Sequence, residues 1–131
     1  MSSRQRLKFI RADVQRLSQT RCLARVQLEQ PGSGAYVGTA VGACPDVDGL
    51  RATAKATAAA LMQATGQDHS LEVRDVELHD AFGHSAVLVH LGAKLHQRTQ
   101  DLMGFCVDRG DSTRAAALAV LNATNRVLEV S

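Results

Sequence analysis

The chain carries one pattern twice, and that duplication limits its possible folds more than any other feature. Residues 36–66 read YVGTAVGACPDVDGLRATAKATAAALMQATG, and residues 102–130 read LMGFCVDRGDSTRAAALAVLNATNRVLEV. Each copy is a strand ending among small residues, then an acidic helix start, then an alanine-rich helix. Gly38 and Gly104 stand 66 positions apart, as do Val41 and Val107, whereas Arg51 and Arg114, Ala52 and Ala115, and Ala56 and Ala119 stand 63 apart. The first copy therefore has the longer strand-to-helix loop. A unit of this size has an apolar face it cannot bury alone, so the two copies are expected to share one core.

The rest of the chain fits around these units. Cys22, Ala24, Val26 and Leu28 alternate with polar residues, the period of a strand with one buried face. Ile10, Ala12 and Val14 do the same, but out of phase with Leu7 and Phe9, which predicts a bulge or a late strand start. Gln30-Pro31-Gly32-Ser33-Gly34 is a turn, and residues 35–42 form a third strand. Asp46 or Asp48 is expected to cap a helix with Leu50, Ala54, Thr57, Ala58 and Leu61 facing inward, Arg51, Lys55 and Gln63 facing water, and Gly66 as its stop. The second half predicts strands at 71–80, 85–97 and 101–107, with Phe82-Gly83-His84 as a turn. Asp111 or Ser112 then caps a helix with Ala117, Val120, Leu121, Thr124 and Leu128 on one stripe. The order is βββαβββα. The expected fold is α+β in two layers, an antiparallel sheet with both helices on one face, as a single domain over 1–131 with pseudo-repeats at about 7–66 and 71–130.

At 131 residues the chain is long enough for one good core. Aromatic residues make up only 3% of it, so that core must be built from Val, Leu and Ala. No window has the roughly 18 to 20 apolar residues of a membrane helix, and the opening MSSRQRLKFI lacks an apolar leader segment. No membrane association and a cytoplasmic location are expected. Cys22, Cys44 and Cys106 form no CxxC pair, so free thiols are expected rather than a disulfide framework or a zinc knuckle. The net charge of +2 hides an asymmetry, because Arg4, Arg6, Lys8, Arg11, Arg16, Arg21 and Arg25 face only Asp13 in the first 25 residues. That basic end reads as a solvated sheet face or a surface for an anionic partner. Single-stranded nucleic acid is not the expected partner, since it needs stacking aromatics and the chain has only Phe9, Tyr36, Phe82 and Phe105.

No GxSxG, GxxxxGK[ST], GxGxxG or HExxH motif occurs, and no catalytic residues or cofactor are expected. His84, His90 and His96 recur every six residues, but six strand residues span ~20 Å, so they cannot share one metal ion. Cys44 is the one thiol placed where a helix dipole would lower its pKa, yet it reads as a loop cysteine before it reads as a nucleophile. Helix N-termini favour anions, and the two strand-to-helix loops are the expected place for a small anionic or zwitterionic ligand. Gly42, Ala43, Cys44 and Asp48 would supply one side, and Asp108, Gly110 and Asp111 the other.

Gly38, Gly42, Pro45, Val47 and Asp48 follow a Gly-x-Gly-x-Gly-Pro-Val-Asp-Ala pattern loosely, and Asp111, Ala115, Ala119, Asn122 and Asn125 follow an Ala-rich helix with a late Leu-Asn. Over about residues 7–130 the chain resembles the C-terminal regulatory, or dimerisation, domain of 2-isopropylmalate synthase, which in that family follows a catalytic barrel and is expected here as a stand-alone module. Thr39, Ala40, Val41, Ala43 and Cys44 replace part of the family's glycine-rich loop. The resemblance implies a homodimer and a small-molecule effector, such as leucine, held between loops of paired domains. The expected function is thus a non-catalytic pairing module with a metabolite site. The alternatives are a nucleic-acid-associated protein using the basic first strands, which steep salt dependence would mark, and an enzyme with an unrecognised site.

Overall fold

In the computed structural model, residues 7–43, 47–65, 69–95 and 97–125 are described. The elements run β1 (Lys8–Arg16), β2 (Arg21–Gln30), β3 (Gly34–Ala43), α1 (Val47–Thr65), β4 (His69–Ala81), β5 (His84–Leu95), β6 (Arg98–Val107) and α2 (Ser112–Thr124), the expected α+β order. Alternation sets the sheet faces. Cys22, Ala24, Val26 and Leu28 of β2 are buried, as are Val87, Val89 and Leu91 of β5, while the residues between them face outward.

Register makes the duplication physical. Val26 pairs with Gly38 and Val89 pairs with Gly104, so the second strands of the two units are offset by 63 and the third strands by 66. The longer strand-to-helix loop of the first unit is therefore compensated by a longer span between β5 and β6. Both units also break register at the same place. The ladder skips between Phe9 and Arg11 in one and between Val73 and Asp75 in the other, leaving Ile10 and Arg74 as the extra residues of matched bulges. Ile10 is consequently 42% exposed, so the inward set resumes at Ala12 rather than running through Ile10.

The strands form two three-stranded antiparallel sheets, β1-β2-β3 and β4-β5-β6, in place of one continuous sheet. Helix packing explains the division. Each helix lies on the second and third strands of its own unit and reaches the first strand of the other, α1 touching β4 and α2 touching β1, while the helices also touch each other. The units are thus joined through their helices.

That arrangement buries more of each helix than one stripe. Ala52, Thr53, Ala56 and Ala60 join the expected inward residues of α1, and Ala115, Ala116, Ala117, Ala119, Val120, Leu121 and Ala123 are buried on α2. Their small side chains permit close approach. A Cβ added at Gly38 would stand 2.6 Å from the Ala60 backbone nitrogen, nearer still to the Ala56 carbonyl oxygen, and one added at Gly104 would meet the Ala123 nitrogen at 2.6 Å. The buried hydroxyls bond within their own helices: Thr57 donates to the Thr53 carbonyl at 2.8 Å and Thr124 to the Val120 carbonyl at 3.0 Å.

Asp111 caps α2, its Oδ1 accepting from the Arg114 N–H at 3.0 Å while its carbonyl accepts from Ala115 at 3.0 Å. Asp111→Ala is expected to lower stability by about 1 kcal/mol in urea titrations, the usual loss for a cap. Helix α1 begins at Val47, which puts Asp48 within the first turn and not at the cap; Asp46 and Gly66, and Leu128 in the second half, lie outside the described residues. One expectation about the thiols is corrected. Cys22 is disulfide-bonded and only Cys106 is a free cysteine among the described residues. Cys22 faces Gly42 across the ladder, at the sheet end from which the chain leaves for α1. Spacing along a sequence does not reveal such cross-strand proximity. No helix among the described residues is long and apolar enough to cross a membrane.

Candidate functional site

The connection from β6 to α2 is built by short polar contacts. The Asp108 N–H donates to the Ser85 carbonyl at 2.8 Å, tying the end of β6 to the start of β5. The Asp108 carboxylate then accepts from the Gly110 N–H at 2.9 Å, folding the chain back at a residue with φ of 107°, a conformation suited to glycine. Asp111 follows as the helix cap. Of the acidic residues expected to meet a ligand, Asp108 is thereby committed to the loop itself.

Beside this turn lies a cavity of about 270 Å³ lined by Cys106, Val107, Arg109, Asp111, Arg114, Ala115 and Leu118. Arg114 is held toward β1, its guanidinium carbon 5.7 Å from the centre of the Phe9 ring, an attraction of cation to ring face that also stiffens the long side chain. Two guanidinium groups and one carboxylate thus border a space whose other walls are apolar. Burial pushes the Cys106 thiol above its usual pKa, more strongly than the neighbouring Arg114 and Arg109 charges pull it down.

The sequence-expected residues divide accordingly. Asp111 lines the cavity, and Asp108 and Gly110 shape the loop beside it. Gly42 and Ala43 end β3, paired with Cys22 and Arg21, and do not line the cavity. Cys44 and the side chain of Asp48 lie outside the described residues. Arg109 and Arg114 were not expected: Arg114 stood out only as the repeat partner of Arg51, and Arg109 carries no motif. The only sequence signal for them is two cations flanking a predicted helix cap.

A second polar group sits at the bulge of β4. Arg74 extends over Gly92, within 3.8 Å of Glu72 and 3.9 Å of Asp101, and His90 Nε2 lies 3.2 Å from Asp101. Arg51 of α1 pairs with Asp75 at 3.0 Å. These are exposed pairs of small energetic weight. His84 and His90 sit on β5, with His96 outside the described residues, and among those described no three His, Cys, Asp or Glu side chains gather as a metal site. His79 and His84 border one groove, while Asp80 accepts from the Ser85 hydroxyl at 2.6 Å. No protein-family model matches this chain, and no curated protein matches it.

Proposed function

We propose that the protein is a non-catalytic pairing module that holds a small anionic or zwitterionic metabolite in the cavity at the start of α2. The observation that carries this reading is the placement of Arg109, Arg114 and Asp111 around a space of about 270 Å³ with Val107, Ala115 and Leu118 as its apolar wall. Guanidinium groups bind carboxylate or phosphate oxygens in forked geometry, and the cap carboxylate gives an ammonium group an acceptor. A ligand with a carboxylate, an amine and a short aliphatic part matches that set. The resemblance to the regulatory domain of 2-isopropylmalate synthase points to the same ligand chemistry and to a homodimer.

Calorimetry against a panel of amino acids and short-chain carboxylates tests the site. Binding by at least one zwitterion or monocarboxylate is expected, and Arg114→Ala should weaken it by about tenfold or more, the value of a lost charge-assisted hydrogen bond. A panel without heat or thermal stabilisation rejects the ligand site. Equal affinity in the Arg114→Ala protein would move the site elsewhere.

A further inference from the structure

The outer faces of the two sheets occupy equivalent positions in the repeat and have diverged in one respect. Arg25 and Thr39, at the centre of the outer face of the first sheet, correspond to Leu88 and Phe105 in the second, and Val37 corresponds to Met103. The change produces an apolar surface on β5 and β6. Met103 is 72% exposed, Phe105 58%, and Phe82, in the adjoining β4–β5 turn, 99%.

Phe82 is the sharpest observation. It and Gly83 form a two-residue hairpin turn with φ of 55° and 76°, the geometry that asparagine followed by glycine adopts most readily. A phenylalanine there carries both a left-handed backbone and a fully solvated ring, and neither helps this chain alone. Beside it lies a groove of about 390 Å³ walled by Ala86, Leu88, Met103, Phe105 and Val107. A further hollow of about 300 Å³, sharing Leu88 and Met103, continues to the middle of the face, where Asp75 and Glu77 border it.

We propose that this face is where two copies of the chain meet, each placing Phe82 in the partner's hollow. The inference rests on the pairing half of the function proposed above and gives that pairing a surface. A two-fold contact requires one surface to hold both the projecting group and its socket, and this face has both. Its polar groups are arranged to match. An axis running across the strands lays the Phe82 end, with His79 and His84, over the partner's Asp75 and Glu77, so imidazoles face carboxylates on both sides of the axis. Phe82, Met103 and Phe105 expose on the order of 400 Å² of apolar side chain, a sizeable centre for the ~800 Å² that each partner gives in a stable interface. Phe82 also borders the groove, so a small apolar ligand there would cover one side of its ring, whereas a partner chain can enclose the whole of it.

Sedimentation across a concentration series, on the full chain and on Phe82→Asn and Met103→Glu variants, provides the test. The unaltered protein is expected to be a dimer at ~10 µM. Phe82→Asn should raise the dimer dissociation constant by about tenfold or more while raising the melting temperature of the monomeric form, because asparagine suits the turn. Those opposite signs separate an interface role from a structural one. Met103→Glu should abolish the dimer with an unchanged far-ultraviolet dichroism spectrum. Wild-type dimer affinity in either variant overturns this interface and leaves the pairing reading standing, whereas an unaltered protein that stays monomeric at ~200 µM overturns both.

Discussion

Gly104→Ala is expected to cost about 3 kcal/mol, lowering the melting temperature by roughly 10 °C, because the new methyl group meets backbone and not a side chain that can turn aside. The Cβ would stand 2.6 Å from the Ala123 nitrogen, and closer to the Ala119 carbonyl oxygen, so α2 would have to lift from β6 along its length. Lifting it strips contacts from Val120 and Ala116, both fully buried. Gly38→Ala should do the same to α1, through Ala56 and Ala60. Gly49 supplies the control, since nothing lies within 4 Å of a Cβ added there and its φ is not left-handed. Gly49→Ala should leave stability unchanged or raise it by up to about 1 kcal/mol through better helix propensity. Equal stability of the Gly49 and Gly104 variants would mean that the helices do not seat on these glycines.

Leu28→Ala and Leu91→Ala are each expected to lose about 3 kcal/mol in urea unfolding, by the transfer of a large side chain out of the core and the cavity left behind. Both leucines are fully buried on the middle strand of their sheet and occupy the same repeat position, 28 and 91 being 63 apart. Both belong to the shared core, on strands that their own unit's helix touches, so their losses should be equal within the scatter of such measurements. A loss confined to one variant would show that one unit folds without the other.

The sequence made the fold legible where local chemistry decides it. Alternation located the first two strands and the duplication pointed to the rest, although β6 begins at Arg98 and not at Asp101; proline and glycine located the first long turn, and of Asp111 and Ser112 it is Asp111 that caps α2. The bulge at Ile10 was visible as a phase change, but its counterpart at Arg74 was not, because Arg74 sits among other polar residues and breaks no apolar pattern. The division into two sheets could not be read, since strand pairing between units depends on where the helices lie. The same holds for the site. Asp111 was found through its capping role, whereas Arg109 and Arg114 needed the three-dimensional turn that sets them around one cavity, and the bond at Cys22 needed the ladder that brings Cys22 opposite Gly42.

Because α1 rests partly on β4 and α2 partly on β1, each half of the chain supplies part of the other's interior. Neither half keeps a closed core when the other opens, so loss of order in one unit exposes alanines and valines in both. Such reciprocity favours a single concerted transition over stepwise melting of two modules. It also divides the folding problem by distance along the chain: hairpins and strand-to-helix packing close within about 40 residues, and only the crossing of helices between units joins distant segments. Mutual dependence, more than the likeness of the halves, is the ground for expecting this duplicated chain to unfold as one body.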